Sequence, residues 1–123
     1  MKNEYEMGYE KLKEILGINN AKKTVSAFDA IDKNIGKLLL EFVYGNLYQN
    51  ETLDIKTRQL CTISALTVMG QYKPHLKTHI DGALNVGVSK AEIVEVILQM
   101  IAYAGFPAAT TALMIAKNVF DSK

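Results

Sequence analysis

Cysteine occurs once in this 123-residue chain, tryptophan not at all, and proline and histidine twice each. With Cys61 alone there is no intramolecular disulfide and no Cys-x-x-Cys redox or zinc pair. Prolines stand only at 74 and 107, and no alternation of apolar and polar residues persists. Strands therefore have no signal, and the reading is helical throughout. Excess charge is also lacking: 14 Lys and Arg face 13 Asp and Glu, for a net +1. That balance provides no basic field for nucleic acid and no acidic tail for a basic partner. Arg58 is the only arginine. A guanidinium is the better bidentate clamp for a carboxylate, so its position is worth following.

What is present is a large apolar fraction, 49%, enough to bury a core in one domain over 1–123. The opening MKNEYEMGYEKLKEIL is too charged for a signal peptide, and a cytoplasmic protein is expected. One uncharged run, VILQMIAYAGFPAATTALMIA from Val96 to Ala116, has the length of a membrane span. Gly105-Phe106-Pro107 interrupts it, and Gln99, Thr110 and Thr111 dilute it. Two buried half-length helices are the expected outcome. Helices this apolar need further cover, which predicts a homo-oligomer.

Spacing predicts helices over about 3–16, 21–49, 55–69, 74–86, 90–104 and 107–120. The second is expected to break near Asn34-Ile35-Gly36, leaving LLLEFVYGNLY as its own helix. Asp54 is a candidate N-cap, Pro74 and Pro107 are helix openers, and Ser89-Lys90-Ala91-Glu92 fits a capping box. The architecture predicted is all-α, with short connections.

Both histidines lie in QYKPHLKTHIDGALNVG, four residues apart. Leu76, Ile80, Ala83, Leu84 and Gly87 form the apolar stripe of that helix. His75 and His79 share a stripe beside it, continued by Gly82 and Val86. Two histidines at this spacing can hold a zinc ion, but Leu-Lys-Thr stands between them in place of a general-base glutamate, and there is no third histidine. No metal is expected. Acid–base chemistry suits a histidine at the edge of a core; the plainer alternative is a hydrogen-bonded histidine with no chemistry.

The stretch TRQLCTISALTVMGQYKPHLKTHIDGALNVGVSKAEIVEVILQMIAYAGFPAATTALMIAKNVF, and above all HIDGALNVGVSKAEIVEVI and YAGFPAA, resembles the carboxymuconolactone decarboxylase family over about 54–120, behind N-terminal helices 1–53. The resemblance implies the all-helical fold of the AhpD-like superfamily and a homo-oligomer, commonly a trimer or hexamer. It also implies one of two activities. The first is cofactor-free decarboxylation of 4-carboxymuconolactone or a related small lactone or carboxylate. The second is alkylhydroperoxidase or peroxiredoxin-like chemistry through Cys-x-x-Cys-x-x-x-His.

Counted back from His79, the two thiol positions fall on His75 and Tyr72, and Gln59 lies near the place of the redox branch's glutamate. The thiol motif is absent, which favours the decarboxylase. His79 is then the expected proton donor, with His75 and Arg58 as further catalytic residues. Gln59 and Tyr72 are expected at the substrate, with no cofactor. Cys61 carries the alternative, as a lone thiol beside Arg58; its plainer role is a small apolar filler. A helical assembly or binding module without catalysis is the non-enzyme reading. Glu92 is expected to serve the capping box and Glu95 to be an ordinary helix charge. Tyr103 and Phe106 are expected to pack at the helical break, and the five methionines to fill core space.

Overall fold

The computed structural model describes residues 1–123, all of them in helices, turns or connecting segments, with no strand. The contacts group into two compact units, Met1–Asp54 and Ile55–Lys123.

In the first unit, α1 (Glu4–Leu16) starts where the Asn3 side chain accepts from the Glu6 backbone N–H at 2.8 Å. It stops at Gly17, whose φ of 84° suits glycine. Next comes α2 (Ile18–Ile31). The break expected at 34–36 occurs at Asp32. This residue is extended, and its carboxylate accepts from the Asn34 N–H at 2.7 Å, capping α3 (Lys33–Lys37). Gly36 lies inside α3 for a different reason: a Cβ there would come within 2.2 Å of the Asp29 carboxylate.

The expected separate helix LLLEFVYGNLY does not form. Leu38–Tyr44 continues α3 as a wider π turn, followed by a short 3₁₀ turn at Leu47–Gln49. α1 lies so close to this π segment that a Cβ on Gly8 would sit 1.8 Å from the Leu40 carbonyl oxygen. Leu12, Ile15, Leu16, Ala21, Val25, Leu40 and Tyr44 are buried here.

The second unit opens with α4 (Ile55–Met69), at the bounds that the sequence predicts. Lys73 is extended (φ −124°, ψ 131°), as the residue before a proline tends to be. A single π turn, Tyr72–Leu76, leads into α5 (Lys77–Asn85). α5 ends at Gly87 (φ 98°), with Val88 N–H donating to Ala83 at 2.9 Å and Gly87 N–H to Leu84 at 3.1 Å. These are the paired bonds of a glycine-terminated helix.

The capping box forms as read. Ser89 Oγ accepts from the Glu92 N–H at 3.0 Å, and Glu92 Oε1 accepts from the Ser89 N–H at 2.9 Å. It opens α6 (Lys90–Gln99), after which Met100 separates a four-residue α7 (Ile101–Ala104). Gly105, at φ 90°, turns the chain into α8 (Phe106–Asp121). The uncharged run is thus split as expected, and no helix is long and apolar enough to cross a membrane.

One core unites this unit: Ile63 of α4, Leu76, Ile80 and Ala83 of the α5 region, Ile93 and Ile97 of α6, and Ala109, Ala112, Ile115, Ala116 and Val119 of α8. The alanines of α8 recur at i, i+3 and i+7, a small-residue stripe that suits close helix approach.

Two expectations fail on the outside of this unit. Tyr103 and Phe106 do not pack at the break but stand 73% and 64% exposed, because the Gly105 turn leaves both rings pointing away from the core. Of the methionines in this unit only Met100 is buried; Met69 and Met114 are exposed, as is Met1 in the first unit.

Candidate active site

α4 carries Gln59, Ile63 and Thr67 at i, i+4 and i+8, and all three are fully buried. That stripe fixes which side of α4 faces inward. Thr67 satisfies its hydroxyl within the helix, donating to the Ile63 carbonyl at 2.8 Å. Gln59 has no such internal partner. Its Oε1 lies 3.2 Å from Nδ1 of His79 on α5, and its Nε2 has no hydrogen-bond partner in the protein. A buried amide with one end unpaired costs about 1–3 kcal/mol, so the donor invites a ligand or water.

His79 precedes the fully buried Ile80, so its ring flanks the apolar stripe as the sequence predicts. Burial pushes the ring's pKa down from 6.5 to about 4, and repulsion from His75, one turn earlier, acts in the same direction. At neutral pH His79 is an uncharged imidazole. Gln59 Oε1 is placed to accept from Nδ1 in the tautomer that carries its hydrogen there.

Other predicted residues take different places. His75 is exposed. Arg58 is half-buried on α4, next to Gln59 in sequence. The Tyr72 hydroxyl donates to the Ala108 carbonyl at 3.3 Å, tying the start of the histidine segment to α8. Cys61 is not a filler: it is exposed, two residues from both Gln59 and Ile63 and therefore about 200° around the helix. Glu92 is occupied by the capping box, and Glu95 is exposed. No three His, Cys, Asp or Glu side chains gather as metal ligands.

The sequence reading placed Gln59 at the substrate and did not foresee its pairing with His79. The available signal was its position one and two turns before Ile63 and Thr67.

The sequence profile of the carboxymuconolactone decarboxylase family matches residues 34–118. The chain belongs to the carboxymuconolactone decarboxylase family. The match begins some twenty residues earlier than the resemblance in the sequence suggested, inside α3. The chain is 30% identical to the 4-carboxymuconolactone decarboxylase of Acinetobacter baylyi, over 94% of this chain and 86% of that protein. It is 43% identical to an uncharacterised 15.0 kDa protein from the nqo9-nqo10 intergenic region of Paracoccus denitrificans, over 67% of this chain and 62% of that one. It is 28% identical to the nitrosuccinic acid decarboxylase of Metarhizium robertsii, over 95% of this chain and 81% of that one.

Proposed function

We propose that this protein is a decarboxylase of a small lactone or carboxylate, with 4-carboxymuconolactone as the first substrate to test, and that it works without a cofactor. Two relatives named as decarboxylases, each aligned over more than nine-tenths of the chain, support the reaction class. The observation that carries the reading is the half-buried, uncharged His79 held against the fully buried Gln59.

In 4-carboxymuconolactone the departing carboxylate is on the ring carbon next to a C=C conjugated with the lactone carbonyl. Breaking the C–CO₂ bond sends its electron pair through that system to the carbonyl oxygen, forming an enolate. A proton then adds to the carbon beside the carbonyl. The substrate dianion and one proton give CO₂ and an enol-lactone monoanion. The conjugated carbonyl is the electron sink, so the protein must bind negative charge, steady the enolate and deliver the proton.

His79 delivers it. A carboxylate about 4 Å from the ring attracts an imidazolium by about 4 kcal/mol at an effective dielectric of 20. That raises the ring's affinity for a proton by about three orders of magnitude. Substrate binding thus brings the proton that an empty site excludes. Arg58 supplies positive charge to the dianion, and His75 a ring that can hydrogen-bond to it. The Tyr72 hydroxyl, held by Ala108, keeps the segment carrying both histidines in place. A homo-oligomer belongs to the same proposal, supported by the exposed apolar side chains Leu98, Tyr103, Phe106 and Met114 on the second unit.

The test is release of CO₂ from 4-carboxymuconolactone by purified wild-type protein and by Cys61→Ser. Equal release from the two is expected. Absence of release from folded wild type would exclude this substrate, and loss confined to Cys61→Ser would move the function to thiol chemistry.

A further inference from the structure

The function proposed above needs a proton on His79, and the structure sets a buried amide against one nitrogen of that ring. Gln59 is 0% exposed, on the inward stripe of α4 between the first turn and Ile63. Its carbonyl faces His79 Nδ1 at 3.2 Å. No carboxylate takes part in this pair, so it holds no charge of its own.

We propose that Gln59 is a positioning residue that locks His79 as the Nδ1–H tautomer, so that the lone pair of Nε2 alone receives and releases the catalytic proton. The inference deepens the decarboxylase reading and rests on it for the catalytic consequence and for the choice of amide orientation; the tautomer itself is measured on the protein alone.

Geometry gives the reasoning. An amide has a donor end and an acceptor end. With Oε1 toward the ring, Nδ1 must carry hydrogen and Nε2 is bare. With the amide reversed, its N–H would donate to a bare Nδ1 and put the hydrogen on Nε2. The ligand chemistry of the proposed function favours the first arrangement. A dicarboxylate is an acceptor, and the Gln59 end left without a protein partner is the donor Nε2. A protonated ring then donates Nδ1–H to Gln59 and keeps its second proton at Nε2, the only nitrogen from which it can be lost without breaking the internal bond.

Glutamate at this position would accept the same hydrogen bond but add a buried negative charge. It would favour the imidazolium and present an anion where Gln59 presents N–H groups. A methionine would keep the volume and remove the acceptor.

The experiment is histidine-selective ¹⁵N NMR at neutral pH on wild type, Gln59→Met and Gln59→Glu, with steady-state turnover of 4-carboxymuconolactone beside it. Wild type should show a protonated Nδ1 and a bare Nε2 for His79. Gln59→Met should shift the ring toward the Nε2–H form that isolated histidine prefers, and lower kcat at least tenfold with a smaller change in KM. Gln59→Glu should hold the ring charged at neutral pH, and raise KM at least tenfold. A wild-type ring with hydrogen on Nε2, or a tautomer unchanged in Gln59→Met, would overturn the inference. The expected spectra without turnover in any form would retain the positioning role and remove the decarboxylase reading. Should Gln59→Met fail to fold, the wild-type tautomer and the charged ring of Gln59→Glu decide the matter.

Discussion

Replacing His79 with alanine is expected to lower kcat for 4-carboxymuconolactone by about 10²–10⁴-fold, the usual loss when a positioned proton donor is removed. KM should change far less. The ring is uncharged before substrate arrives, so it contributes little to capturing a dianion. Its contribution appears as the enolate forms, and removing such an interaction lowers kcat rather than weakening binding. On the proposed reading, Arg58 still attracts the carboxylates in the variant. The measurement is steady-state kinetics on the folded variant. A KM rise with unchanged kcat would make His79 a binding group and not a proton donor.

The same ring is expected to make folding pH-dependent in a defined window. In the unfolded chain His79 titrates near 6.5, and in the folded protein near 4. Between those values the unfolded state binds the proton and the folded state excludes it. Stability therefore falls as the pH drops from about 6.5 to about 4, and below that no further loss comes from this residue. The gap corresponds to on the order of 3 kcal/mol. A His79→Gln variant has no ring to protonate and escapes this loss. Denaturant unfolding of both proteins from pH 7 to 4 checks it. The carboxylates titrate alike in both, so the difference between the two curves isolates His79. Parallel curves would show that the ring is not buried in its neutral form.

Much of the fold was legible because helix ends are local chemistry. Ser89 and Glu92 are three residues apart, and the capping box follows from that spacing. Ile55–Met69 reads as a helix from its bounds. The Asp32 break was missed because Asn34 and Gly36 look like better breakers. What decides is the reach of the Asp32 carboxylate to the next helix's N–H, and Gly36 serves the close approach of Asp29 instead. The π turn at Leu38–Tyr44 has no sequence signature beyond an apolar run.

For the candidate site the limit was rotational. α5 has a clear polar face, and His79 fell where its stripe predicted. α4 is apolar on nearly every side, with Leu60, Ile63, Leu66, Val68 and Met69 around its circumference. Periodicity cannot say which face of such a helix turns inward. From sequence, Cys61 fits either a filler or a lone reactive thiol and Gln59 a substrate contact; packing exposes the thiol and buries the amide against His79.

If His79 is the proton donor, a bound dicarboxylate brings the ring its proton. Calorimetry of a saturated lactone dicarboxylate, which lacks the conjugated sink and cannot lose CO₂, tests it most directly. Binding heats near pH 6.5 in buffers of different ionisation enthalpy give the number of protons taken up. From the electrostatic gain at about 4 Å, wild type should take up about half to one proton per molecule bound, and His79→Gln close to none. Binding by both proteins with equal proton uptake, or by wild type with none, would contradict the account.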